Sequence, residues 1–359
     1  MITLSLCIIV KDEEKKLEKC LASIDGIPDE IIIVDTGSTD QTKKIASIWT
    51  PKVFDFKWND NFSDARNFSF NQATMDYILW LDADDILLPE DYRKLLSLKQ
   101  ELKENYDVVS MIYHAGFDQY NNVITSIRRN RIVKREKNLK WYGVVHEDLD
   151  INNTYNTYES DIVVTHTKKP TDEISSRNLK IYENFFKNNK NKMNLQDMFH
   201  YARELHSHKQ YRQAITLYSK CLKSKEIQLQ HRLFVMHKLA SCYYLIGNFE
   251  KEKEITLYSL EYDFPQPEFC CRLGEMFLKK EQFPQAIFWY KQALENSKSD
   301  SIFIEQHPFK TWLPHKQLAL CHYYLGNYPN SLQHNNEVLK YLPNDKEALN
   351  NIKVLESLL

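Results

Sequence analysis

Residues 77–85, YILWLDADD, run five apolar positions into three carboxylates. An unbroken apolar run with a polar end predicts a strand buried on both faces, hence a mainly parallel sheet with helices packed on either side. The pattern recurs upstream: LSLCIIV (4–10) precedes the amphipathic EEKKLEKCLASI (13–24), and EIIIVD (30–35) precedes a helix-like DQTKKIASI (40–48) and a short KVFDF (52–56). Strands alternating with helices predict an α/β domain over residues 1–175. Ligands of such sheets sit beyond the carboxyl ends of the strands, and polar residues gather there: Lys11, Asp12 and Glu13 after the first strand, Asp35 after the second, Asp82 to Asp85 after YILWL.

If the strand continued through DADD, alternation would turn Asp82 and Asp84 to one side and Ala83 into the packing. Two like charges facing one space call for a cation between them. Oxygen ligands select hard ions, Mg²⁺ or Mn²⁺, which leave part of their shell to water and substrate phosphates. The competing reading makes DADD a cap for the helix that starts near Pro89.

The chain's 359 residues exceed what one core usually supports, which predicts two domains. A net charge of −2 supplies no field for a nucleic-acid backbone and argues against that partner. The start, MITLSLCIIVKDEE, has neither a basic segment nor a small-residue cleavage site, and no later run approaches a membrane span, so a soluble, cytoplasmic chain is expected. The seven cysteines are odd in number, lack CxxC spacing and sit in apolar surroundings, as reduced core residues do.

From residue 195 to 359 the strands give way to a repeat: YRQAITLYSKCL, FEKEKEITLYSL, FPQAIFWYKQAL and YPNSLQHNNEVL begin at 211, 249, 283 and 328. Each opens on an aromatic residue and has a small one nine positions earlier, at Ala202, Ala240, Gly274 and Ala319. The period is close to the roughly 34 residues of tetratricopeptide repeats, which predicts stacked helical hairpins. KEALNNIKVLESLL would cap the stack, and SKSDSIFIEQHPF (297–309) is expected to be an extended loop. Residues 176–194 connect the two domains.

In order and spacing, VKDEEKKLEKCLASI, DEIIIVDTGSTDQT, FSDARNFS and YILWLDADD resemble the GT-A catalytic domain of family 2 glycosyltransferases. With KWYGVVHEDL, VVTHT and SSRNLKIY following, and then the repeats, the chain is similar to the subgroup containing bacterial peptide S-glycosyltransferases of the sublancin type, which also includes members with saccharide acceptors. The resemblance implies inverting transfer from a nucleotide sugar, UDP-linked, with Mn²⁺ or Mg²⁺. It places Asp84 on the metal, Asp82 on the metal shell or the donor ribose, and His166 as a late ligand; a lone strand-end histidine is also commonly structural. Asp35 and Arg66 would hold the nucleotide, with Lys11 and Glu13 beside them. The alternatives are a strand-to-helix turn at VDTGSTD and an Arg66–Asp64 pair on a solvated helix. Asp12 stands where the family more usually has Asn, which removes a donor.

Glu147 occupies the usual place of the base, with Asp148 second and His146 a competitor. Trp141 and Tyr142 line the sugar or acceptor site or pack in the core. RRNRIVKRE (128–136) is either a mixed-charge solvated hairpin or a contact for diphosphate. The repeats offer a concave surface for a peptide or protein acceptor, or a face for a homodimer. A glycan acceptor, as in surface-polysaccharide synthesis, and a scaffold that binds nucleotide sugar without turnover are the other functions open. A nucleotidyltransferase is disfavoured, since KDEEK follows the first strand where that class has a glycine-rich phosphate loop.

Overall fold

The computed structural model describes residues 1–151, 154–167, 175–189, 192–296 and 304–359. It divides into two compact units: Met1–Gly116 with Ile127–Glu204, and Phe117–Ser126 with Leu205–Leu359. Two segments thus part from the division by sequence pattern. The helix after residue 194 belongs to the first unit as far as Glu204, and ten residues of a hairpin tip belong to the second.

The first unit opens with β1 (Leu4–Val10), α1 (Leu17–Ala22), β2 (Glu30–Asp35), α2 (Thr42–Trp49), β3 (Val53–Asp55), α3 (Phe62–Asn71) and β4 (Tyr77–Trp80). β5 (Asp85–Leu87), α4 (Pro89–Glu101), β6 (Val108–Phe117), β7 (Val123–Lys134), β8 (Trp141–Tyr142), β9 (Asp148–Leu149) and β10 (Thr157–His166) follow, then α5 (Arg177–Asn188) and α6 (Leu195–Ser207). The sheet runs β3-β2-β1-β4-β7-β6-β10-β5. β1 pairs in parallel with β2 and β4, and β2 with β3. β7 enters antiparallel to β4, while β10 lies parallel to β6 and antiparallel to β5.

Period-two alternation feeds two cores. Leu4, Leu6 and Ile8 join Leu17, Leu21 and Leu79 on one face; Cys7 joins Ile32, Val34, Ile78 and Trp80 on the other. At the amino ends of β1 and β2, buried Glu30 accepts from Ser5 Oγ at 2.5 Å and from Thr74 N and Oγ1 at 2.9 and 2.8 Å, and pairs with Lys52.

The second unit stacks α7 (Tyr211–Lys223), α8 (Leu229–Leu245), α9 (Phe249–Tyr258), α10 (Pro267–Leu278) and α11 (Phe283–Glu295). α12 (Trp312–Tyr324), α13 (Tyr328–Tyr341) and α14 (Lys346–Glu356) complete it, giving 14 helices among the described residues. Apart from the hairpin tip and one short strand, it is a helical, tetratricopeptide-like array. The small positions mark close helix contacts: a Cβ on Gly274 would lie 2.7 Å from the ring of Tyr290. Residues 297–303 of the expected loop lie outside the described residues. Its remainder is not wholly extended: β11 (Glu305–Gln306) pairs antiparallel with Ser126 and Thr125, and a short 3₁₀ turn spans His307–Lys310. Asn122 in the hairpin tip donates to the Tyr341 carbonyl.

All seven cysteines are free and buried, and burial pushes the thiols of Cys7 and Cys221 up to about 12. Among the described residues, no helix is long and apolar enough to cross a membrane.

Gly274→Ala gains roughly 1 kcal/mol of helix propensity but overpacks Tyr290 at a cost of about 1–3 kcal/mol, so a net loss is expected in thermal unfolding. Burial opposes ionisation of Glu30, but Lys52, Ser5 and Thr74 outweigh it and hold the carboxyl at about 2, from an ordinary 4.5. The stabilisation is therefore complete above the unfolded value and disappears as pH falls from about 4.5 to 2. Denaturant titrations should show Glu30→Gln well below wild type at pH 7 and the gap closing across that window.

Candidate active site

YILWLDADD does not continue as a strand. β4 stops at Trp80, residues 81–84 turn, with Asp85 N donating to the Asp82 carbonyl at 3.0 Å, and Asp85 opens β5. The alternation expected of Asp82 and Asp84 therefore does not apply, because the chain reverses between them. DADD does not cap α4 either: Leu88 holds the cap position, with no side-chain bond.

Each carboxylate meets a different partner. Asp82 Oδ1 accepts from Arg66 Nη2 at 2.6 Å, and although burial works against it, Arg66 and Arg131 hold its carboxyl down at about 2. Asp85, fully buried, pairs through Oδ2 with Arg131 Nη1 at 3.0 Å and takes the Asp82 N–H on the same oxygen. Asp84 has Lys16 Nζ at 3.3 Å and His166 Nδ1 at 3.4 Å; burial, with Asp82 and Asp85 nearby, raises its pKa. His166 faces Asp85 across the β10–β5 pair, and Thr167 clamps the Asp84 carbonyl through N and Oγ1 at 2.9 and 2.8 Å.

Asp84, Asp85 and His166 each bring a ligand atom within 4.8 Å of the other two, so Asp85 rather than Asp82 completes this group. Asp85 Oδ1 and His166 Nδ1 are buried without a hydrogen-bond partner. These two atoms lie 3.5 Å from each other, too far apart for a good hydrogen bond, so the buried carboxylate oxygen is left poorly satisfied beside a second carboxylate. Two carboxylates with an imidazole suit Mn²⁺ better than Mg²⁺. The residues fit a divalent cation.

Arg66 is the hinge of the site. Buried on α3 between the rings of Trp80 and Trp141, at 4.7 and 4.9 Å, it donates from Nη2 to Asp82 and from Nε to Glu147 Oε1 at 2.5 Å. Its bonds thus go to these two carboxylates and not to Asp64, which instead accepts from Asn59. Glu147 lies in a turn between the paired strands β8 and β9. His146 turns the other way, to Glu204 at 2.7 Å, and Asp148 Oδ1 accepts from the backbone N–H of Leu149. Trp141 is core, edge-on to Trp80 at 4.8 Å, and Tyr142 is exposed.

Beyond β1 and β2 the loops lace together. Asp12, with φ 52°, accepts from Thr39 N at 2.7 Å and donates its own N–H to Ser38 Oγ at 2.9 Å. Asp35 Oδ1 takes the N–H groups of Gly37 and Ser38 at 2.9 Å each, while its buried Oδ2 has no partner. Lys11 is exposed, and Glu13, 3.7 Å from Lys16, is raised by burial more than Lys16 lowers it.

Residues 5–158 match the model of glycosyl transferase family 2. The match covers somewhat less than half of the chain, within its first unit. Over 151 residues, 42% of this chain and 36% of the relative, it is 37% identical to a TPR repeat-containing protein of Synechococcus elongatus. Over 285 residues, 74% of this chain and 64% of the relative, it is 27% identical to the SPbeta prophage-derived glycosyltransferase SunS of Bacillus subtilis. It thus spans about a third of the first relative's length and just under two thirds of the second's. Among solved structures, glucosyl-3-phosphoglycerate synthase of Mycobacterium tuberculosis in complex with Mn²⁺ and UDP-glucose is similar over 52% of this chain and 78% of that one, at 17% identity and a TM-score of 0.38, too slight to carry an argument.

Arg131 and Asp85 were not singled out by sequence reasoning. Arg131 belongs to the basic cluster for which a solvated hairpin or a diphosphate contact is expected, yet it is buried in β7 with its guanidinium 3.9 Å from the centre of Trp80. The usable signal was its place two residues from Arg129, on the same strand face, within a run that ends in Ile132-Val133. Arg131→Met should destabilise the fold by about 3–5 kcal/mol, because it leaves Asp85 charged and unpaired. Adding Asp85→Asn should recover part of that loss in urea unfolding.

Proposed function

We propose that the protein is a metal-dependent, inverting glycosyltransferase that moves a sugar from a UDP-sugar to a peptide or protein side chain. The observation that carries this is the convergence of Asp84, Asp85 and His166, with ligand atoms within 4.8 Å of one another, at the strand ends of the unit that matches family 2. Mn²⁺ or Mg²⁺ held by these three residues would supply a Lewis acid for the departing diphosphate.

The remaining residues divide the work. Asp35 Oδ2, unpaired beside the turn at 36–38, would accept the imide N–H of uracil. Asp82, fixed by Arg66, would take a ribose hydroxyl. Lys11 and Glu13, at the end of β1, would border the nucleotide. Glu147, fixed by the same arginine, would take the acceptor's proton while the nucleophile attacks the anomeric carbon on the side opposite the leaving UDP. Asp148 is the weaker candidate, since one of its oxygens is turned back onto the Leu149 N–H. A thiol acceptor, ionising near about 8.5, would ask little of a base. A polypeptide acceptor is favoured by the helical array, a type of surface commonly used for peptides.

A thermal-shift series with UDP and UDP-sugars, with and without Mn²⁺, tests the donor site, because a ligand of the native state raises its melting temperature. At a ligand concentration near a hundred times Kd, stabilisation of about 2.7 kcal/mol is expected for wild type with Mn²⁺ present. Asp84→Asn should lose the Mn²⁺-dependent part. A wild type that responds to no nucleotide under any metal condition would sink this function.

A further inference from the structure

Four carbonyls of the segment carrying Glu147 are tied. Ser63 Oγ donates to Gly143 O at 2.5 Å, Phe62 N to Val144 O at 3.0 Å, Tyr182 Oη to Val145 O at 2.6 Å and Arg129 Nη2 to Glu147 O at 3.3 Å. Between them, His146 sits in the left-handed region at φ 53°, a conformation a bulky residue keeps only when its surroundings enforce it. The enforcement comes from α5 and α6, which lie beyond the residues matched to family 2. His146 Nε2 lies 2.7 Å from Glu204 Oε1, and its ring stacks on His200, one helical turn before Glu204, at 5.0 Å and 26°. Asn178 Nδ2 reaches the same Glu204 oxygen at 3.5 Å.

Adjacent side chains are therefore drawn in opposite directions, His146 to α6 and Glu147 to Arg66 on α3. With the flanking carbonyls tied, the peptide joining them has one orientation, and Glu147 is delivered to the guanidinium that also holds Asp82. We infer that His146 and Glu204 are positioning residues of the transfer reaction, with Glu204 setting the aim of Glu147, through His146, from outside the family 2 match. The inference rests on the glycosyl-transfer function proposed above.

The test uses the full chain as wild type, Glu204→Ala and Glu204→Gln, with Mn²⁺ and whichever UDP-sugar gives the largest thermal shift. Release of UDP and amide hydrogen exchange over residues 143–149 are followed together. Glu204→Ala is expected to keep the nucleotide-dependent shift and a donor KM within twofold, to lose at least tenfold in kcat, and to exchange at least tenfold faster over 143–149. Glu204→Gln still offers an oxygen to an imidazole N–H and is expected to return kcat to within threefold of wild type. Should Glu204→Ala fail to fold, His146→Asn, which tolerates the left-handed backbone but falls short of Glu204, is expected to show the same kcat loss. Unchanged kcat and exchange in the alanine variant would overturn the positioning role while leaving glycosyl transfer intact. A wild type that neither binds nor releases UDP would overturn both.

Discussion

Three carboxylates within four residues at the end of a buried strand must be compensated or the turn cannot stay folded. Two buried arginines do this. Arg66 reaches Asp82 from α3, Arg131 reaches Asp85 from β7, and both guanidiniums lie against Trp80, with Arg129 a third cation 5.5 Å from the same ring. The indole thus provides a flat, polarisable wall that accepts cations with little desolvation loss. Its own N–H goes to the Asn130 carbonyl at 2.6 Å, which fixes β7 beside β4. With Asp82 and Asp85 each matched to an arginine, Asp84 is left with Lys16 and His166, and the acidity of the turn is concentrated on one side chain.

This division explains why the first unit was legible in outline and obscure in detail. LSLCIIV, EIIIVD and YILWL are apolar enough that no other arrangement buries them, so the parallel sheet and the ends of its strands follow from composition alone. The aromatic and small positions of the helical array were likewise local and periodic. The roles of Asp82 and Asp85 were not, because a four-residue turn has no periodicity and each partner lies far along the chain: Arg66 precedes the turn by 16 residues and Arg131 follows Asp85 by 46. Arg131 resembles its solvated neighbours in sequence, and only the antiparallel entry of β7 next to β4 buries it.

The same limit applies to the segment around Glu147. Its turn is short and carries two left-handed residues, Gly143 and His146. Its shape is imposed by α3 on one side and by α5 and α6 on the other, none of them neighbours in sequence. A chain cut at residue 158, where the family 2 match ends, would keep Asp82 and Asp84 but lose His166, Tyr182, Asn178 and Glu204. The packing that shapes this segment extends beyond the family match.

The sealed thiols have a practical meaning for work on a thiol acceptor. A cysteine buried in the core and pushed up to about 12, as Cys7 and Cys221 are, carries almost no thiolate near neutral pH and offers no nucleophile to solvent. With all seven cysteines buried, the native protein is silent to alkylating and disulfide-exchange reagents. Sulfhydryl consumption in a mixture of the folded protein and a cysteine peptide is therefore expected to report on the peptide.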